Sequence, residues 1–94
     1  MADAGELSKA SRLCEDYLKR QGPSPEAYYL LGLMRDANGD MERATDCYRK
    51  VLYLEPDHAE ALTHLALLCE RQGDATAAKR LRDRARRAER SAKQ

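Results

Sequence analysis

Pro25-Glu26-Ala27-Tyr28-Tyr29-Leu30-Leu31-Gly32-Leu33-Met34-Arg35-Asp36-Ala37-Asn38-Gly39-Asp40 opens a 34-residue unit that ends at His58 and sets the pattern for the rest of the chain. Shifted by 34 positions, Gly39-Asp40 falls on Gly73-Asp74 and, backwards, on Gly5-Glu6. Ala44 falls on Ala78 and Ala10, Leu31 on Leu65, Gly32 on Ala66, Leu33 on Leu67, and Glu26-Ala27 on Glu60-Ala61. A fixed period of this length, with turn residues in its middle and at its end, marks a helix–turn–helix repeat.

Working outward from that unit, the punctuation predicts where each helix begins and ends. Gly22 suits a left-handed cap, Pro23 cannot continue a helix, and Ser24 can N-cap a new one with Pro25 in its first turn. The helix 25–38 is closed by Gly39, and Asp40 caps its partner 41–54. Small residues at Gly32 and Ala44 let these two helices approach closely. Glu55-Pro56-Asp57 breaks the chain, and Asp57 with Glu60 has the spacing of a capping box for a helix 58–72. Gly73-Asp74 then turns into a last helix from about 75 to 90.

Upstream, Leu7, Ala10, Leu13, Cys14, Tyr17 and Leu18 draw one apolar stripe on a helix 5–20. By register it is the second helix of a repeat whose first helix precedes Met1, so the chain is expected to be a piece of a longer protein. The expectation is an all-α solenoid of five helices and two and a half repeats. Residues 1–24 form the truncated repeat, 25–58 the full one, and 59–94 the last one with a basic capping helix.

Composition agrees with that class. Five Tyr supply all the aromatic bulk, and charged residues make up 35% of the chain, so much of every helix must face water. The scarcity of β-branched residues argues against a sheet. A near-neutral net charge hides a segregation: residues 1–78 hold nine Lys/Arg against fourteen Asp/Glu, and residues 79–94 hold eight against two. Three cysteines, Cys14, Cys47 and Cys69, without a CxxC spacing, point to a reducing, cytoplasmic compartment and to small hydrophobes within helix packing. No apolar run approaches the ~18 residues of a membrane span.

The residue spacings that would carry catalysis are not present. His58 and His64, read on one helix, stand about 240° apart and cannot share a metal. His64 and Cys69 lack the spacing of a nucleophile and its base. The sequence has neither a phosphate-cradling glycine loop nor a nucleophile elbow. No catalytic, cofactor or metal residue is assigned, and the chain is read as non-enzymatic.

The segment 27–33 with Ala44, Tyr48 and Pro56 resembles a tetratricopeptide repeat, a TPR. The resemblance implies a concave surface built from the first helix of each repeat. It places Glu26, Tyr29, Leu30, Leu33, Asp36 and Ala37 there, then Glu60, Thr63, His64, Leu67, Glu70 and Arg71. The chaperone-binding branch of the family presents Lys and Asn at such places to clamp a terminal carboxylate. Glu26, Asp36, Glu60 and Glu70 would repel that ligand, so the face suits an apolar segment with basic flanks, such as an amphipathic helix. The alternative is that Leu33 and Leu67 simply touch each other between stacked repeats.

Longer runs carry a narrower resemblance: Tyr28-Tyr29-Leu30-Leu31-Gly32-Leu33, the stretch 49–58 with Glu60-Ala61-Leu62, and the stretch 64–74. Together they are similar to the C-terminal TPR extension of CheR-type, WspC-like chemoreceptor glutamate methyltransferases. The resemblance implies a parent that methylates receptor glutamates from S-adenosylmethionine through a separate catalytic domain. Neither that domain nor its cofactor site falls in this chain. The implied partners are a receptor cytoplasmic domain or the parent's own catalytic domain, in a bacterial signalling or biofilm setting.

Two other expectations rest on the termini. Lys79, Arg80, Arg82, Arg84, Arg86, Arg87, Arg90 and Lys93 make a basic helix that could act as an electrostatic adaptor for anionic membrane or nucleic acid. It lacks aromatic or bulky apolar partners, so a solvated capping face is preferred and both ligands are disfavoured. At the other end, Leu7, Leu13 and Tyr17 are expected to mediate self-association, as a homodimer. Burying ~300 Å² there, at about 25 cal/mol per Å², favours association by several kcal/mol before the entropic cost of pairing.

Overall fold

In the computed structural model, which describes the backbone of residues 4–93 and the side chains of residues 8–92, five α-helices follow one another. They are α1 (Ala4–Gln21), α2 (Pro25–Ala37), α3 (Met41–Leu54), α4 (Ala59–Arg71) and α5 (Ala75–Lys93). The closest neighbours are α2 with α3 and α4 with α5, the two hairpins, while α1 packs on α2 and α3 on α4. Stacking of hairpins along one direction gives a solenoid measuring 36 × 30 × 20 Å.

The turns form as their residues dictate. The Oγ of Ser24 accepts from the Ala27 amide at 3.2 Å, with Pro25 first in the helix. Gly39 and Gly73, at φ +80° and +84°, make one turn twice: the following aspartate amides donate to Arg35 and Cys69 carbonyls at 2.9 Å. Asp40 and Asp74 then cap α3 and α5 by accepting from the amides of Arg43 and Ala77.

One cap differs from expectation. Asp57 does not cap α4. His58 does, its Nδ1 accepting from the Ala61 amide at 3.0 Å, and α4 begins at Ala59 rather than at position 58. An N-cap residue has extended backbone, here φ −69° and ψ 97°, so it leaves the helical spiral. The 240° separation assigned to His58 and His64 therefore does not describe them. At the far end α5 continues to Lys93, beyond the expected stop near 90.

The core runs through the middle of the array. Tyr48, Val51, Ala44 and Ala61 are fully buried, with Leu65 and Leu68 beside them and Tyr29 and Leu33 packed against the cluster. A Cβ on Gly32 would stand 2.7 Å from the Tyr48 ring and 3.2 Å from Cys47 Cβ, so only glycine permits this approach of α2 to α3. A smaller cluster of Leu62, Ala85 and Ala88 joins α4 to α5. Leu52 and Leu81 touch both clusters and tie the hairpins together.

Candidate functional site

The face expected to be concave is carried by α2 and α4, which meet through side chains. Tyr29 of α2 lies 5.0 Å from the His58 ring and 5.8 Å from His64, centroid to centroid. Tyr48 of α3 closes the group, 6.1 Å from Tyr29 and stacked on His64 at 5.5 Å. Offset and tilted rings at these separations attract one another beyond their buried area. Burial first, and then the Glu60 carboxylate, push the Tyr29 hydroxyl above its ordinary range. The Tyr48 hydroxyl is driven up as well, chiefly by burial, and it is buried without a hydrogen-bond partner. An orphaned group of this kind costs about 1–3 kcal/mol.

Spacing alone does not reveal this ring cluster, because a helical register turns His58 away from His64, whereas the N-cap conformation does not follow that register. Its signal lies in the repeat itself: His58 follows Pro56-Asp57 as a cap, on the side of α4 that faces the preceding hairpin. His64 and Tyr29 are thus brought together as proposed concave residues, but as a packed, half-buried group.

The remaining residues expected on the concave face divide into three sets. Leu30 and Leu67 are exposed, at 52% and 43%, and Thr63 is exposed in a surface hollow shared with Arg82, Ala85, Arg86 and Glu89 of α5. Leu33 is half-buried against the core, so its role there is packing. The third set is charged. Arg71 of α4 reaches Asp36 of α2 at 3.2 Å, and Arg82 of α5 pairs with Glu70 of α4. No ion pair among the described residues engages Glu26 or Glu60, and these carry the acidic character of the face.

At the end of the array, α1 and α2 enclose an apolar groove of about 480 Å³. Leu13, Cys14 and Tyr17 form one wall; Ser24, Glu26, Ala27 and Leu30 form the other. Leu13 is 68% exposed and Tyr17 49%. The structure thereby joins two residues expected to mediate self-association with two expected on the concave face. The side chain of Leu7, the third self-association residue, lies outside the described residues. An ion pair between Glu15 and Arg35 also ties α1 to α2.

The cysteines sit where small hydrophobes would. Cys47 is buried, and Cys14 and Cys69 are half-buried. Burial, the largest effect in each case, raises the Cys14 and Cys47 thiols and so disfavours the nucleophilic thiolate. Among the described residues no group of three or more His, Cys, Asp and Glu side chains could hold a metal ion. No helix of the described residues is long and apolar enough to cross a membrane. Gly22, Gly39 and Gly73, the described glycines of positive φ, each follow the end of a helix.

On α5 three alanines turn inward and the arginines outward. Ala78, Ala85 and Ala88 are buried, whereas Arg82 and Arg86 pair with Glu70 and Asp83, and Arg84 donates to the Pro56 carbonyl at 3.2 Å. The Lys93 side chain lies outside the described residues.

Comparison with known proteins agrees with this architecture. The family described as Tetratricopeptide repeat matches residues 25–58. The protein named "Probable biofilm formation methyltransferase WspC" from Pseudomonas putida is 50% identical over 88 residues, covering 94% of this chain and 21% of that protein. Its namesake from Pseudomonas aeruginosa is 51% identical over 85 residues, covering 90% and 20%. The chain thus spans about a fifth of the length of the curated relatives it matches. Among solved structures, a crystal structure of MamA superposes with a TM-score of 0.88 at 26% identity, covering 95% of this chain and 53% of MamA. The chain belongs to the tetratricopeptide-repeat family, folded as a helical-hairpin solenoid that is similar over most of its length to part of the WspC methyltransferases.

Proposed function

We propose that this chain is a non-catalytic protein-interaction module of a larger, cytoplasmic, chemotaxis-type glutamate methyltransferase. The likeness to part of WspC supports the parent, and the concave face supports the role. One observation carries the reading: Leu30 and Leu67 stand exposed on α2 and α4, the first helices of successive repeats, with Glu26 beside Leu30 and Glu60 beside Tyr29. Such a surface suits an amphipathic helix with basic flanks. The methyl transfer, with its S-adenosylmethionine, would belong to a catalytic domain elsewhere in the parent. This chain would hold that domain near a receptor array or contact it directly. The exposed residues of α1 would serve association as well, the two-copy contact through Leu7, Leu13 and Tyr17 being its simplest form.

The basic-helix reading is weaker, because three of its arginines are engaged within the fold. Retention of purified receptor cytoplasmic domain and of the catalytic domain by the immobilised chain tests the main reading. One of the two is expected to bind at roughly tens of micromolar, and Leu67→Glu to weaken it at least tenfold, about 1.4 kcal/mol. Failure of both to bind would remove the proposal's ground.

A further inference from the structure

A second groove, of about 440 Å³, runs between α3 and α5 over α4. Leu52 of α3, Leu65 of α4 and Leu81 of α5 make it apolar within. The exposed side chains that line it are Arg49 of α3 and Arg80 and Arg84 of α5. Among the described residues no carboxylate and no aromatic ring lines it. Its walls and floor come from three helices that follow one another inside the array, so it is not an end of the solenoid.

One repeat earlier the same positions carry a different pattern of charge. Thirty-four residues before Arg49, Cys69 and Arg80 stand Glu15, Arg35 and Asp46, while Leu52 and Leu65 are matched by Leu18 and Leu31. There Glu15 of α1 pairs with Arg35 of α2, so wall and floor satisfy one another. In the second groove the carboxylate on the wall has become Arg49, and the cation on the floor has become the half-buried Cys69. The internal pair is lost and a hollow stands in its place. No ion pair among the described residues engages Arg49 or Arg80.

The geometry points to the α3/α5 groove as the seat of an acidic amphipathic segment of a partner protein. An aliphatic side chain of that segment enters between Leu52, Leu65 and Leu81, and carboxylates beside it pair with Arg49, Arg80 and Arg84. The partner's carboxylates thus restore from outside the negative charge that Glu15 and Asp46 supply in the first groove. Guanidinium groups bind carboxylates through two parallel hydrogen bonds, and apolar surroundings strengthen such bonds. Arg84 is already positioned, since it donates to the Pro56 carbonyl at 3.2 Å. Nucleic acid fits less well. The groove offers no ring for a base to stack on, and Asp57 stands in the adjoining hollow with Arg84 and Arg87, where it would repel a phosphate backbone. This inference rests on the interaction-module reading and adds to it a basic surface, separate from the acidic one carried by α2 and α4.

The test uses the whole chain and synthetic helical peptides in which leucines on one face are flanked by glutamates, with binding read by fluorescence anisotropy. Glutamine in place of the peptides' glutamates, or alanine in place of their leucines, is expected to weaken binding roughly tenfold or more. In the chain, Arg80→Asp gives this groove the charge that Asp46 has in the first, and should weaken binding to a similar degree. Arg80 is exposed, so the variant folds, which circular dichroism verifies. Arg49→Glu combined with Cys69→Arg transplants the Glu15–Arg35 pair and should abolish binding, whereas Leu67→Glu should leave it unchanged. Equal binding of the glutamine peptides, or binding indifferent to Arg80→Asp, overturns the proposal. Binding that needs the glutamates but not the leucines assigns the arginines to polyanions and overturns it as well. A dimer of the chain that Arg80→Asp dissociates, and that the peptides do not displace, gives the groove to a second copy with the same consequence. Should the peptides fail while receptor or catalytic domain still binds in a Leu67-dependent way, the groove proposal falls and the module reading stands.

Discussion

In the first hairpin α2 lies so close to α3 that a methyl on Gly32 would meet the Tyr48 ring at 2.7 Å. In the second hairpin Ala66 carries that methyl at the same register, fully buried, and Arg82 stands where Tyr48 stood. The first hairpin thus encloses the aromatic group and the largest buried side chain of the array. The second is closed by the small side chains Ala78, Ala85 and Ala88, and its register partner of Tyr48 turns outward to Glu70. Repeats of one design need not contribute equally: the inner hairpin supplies packing, and the outer one supplies solvation.

The largest expected effect comes from Tyr48→Ala, which empties the centre of the first hairpin. Removal of a fully buried aromatic ring costs about 3–5 kcal/mol. That is a large share of the stability of any small domain. Urea denaturation with an unchanged m-value measures it, and a cost below 1 kcal/mol would mean that the two hairpins are not distinguished by packing.

Gly32→Ala is the sharper probe. Helix propensity alone would favour alanine by about 1 kcal/mol. Against that, the Cβ overlaps a ring pinned in a fully buried site, and overpacking costs about 1–3 kcal/mol. The net effect expected is destabilisation, read as a lower urea midpoint, and a raised midpoint would show that Tyr48 can yield.

The smallest change belongs to Arg82→Ala, at the matching place in the second hairpin. The Arg82–Glu70 pair is half-exposed on both sides. Such pairs contribute about 0–1 kcal/mol. Thermal unfolding of this variant should lie close to that of the parent chain. A loss rivalling that of Tyr48→Ala would erase the contrast.

Much of this contrast could be read along the chain. The 34-residue period places Gly32 over Ala66, and the run of basic residues from Lys79 to Lys93 marks the last helix as a solvated cap. The candidate site was less legible. Leu30 and Leu67, expected on the concave face, are exposed, yet Leu33, assigned to the same face, packs against the core. A helical wheel assigns angle but not depth, and depth depends on how near the neighbouring hairpin comes.

Periodicity, caps and turns were determined by the sequence alone, because they follow from interactions within a few residues. Ser24 reaches the Ala27 amide, Gly39 and Gly73 adopt positive φ, and Asp40 and Asp74 cap the next helix without help from distant parts of the chain. Only the tertiary structure decided that His58 rather than Asp57 caps α4, because the cap is chosen together with the packing of its ring on Tyr29. It also decided that Leu13, Tyr17, Glu26 and Leu30 share one groove. Those residues lie on two helices, and the space between helices is set by the volumes of the side chains that meet there, which no single stretch of sequence contains.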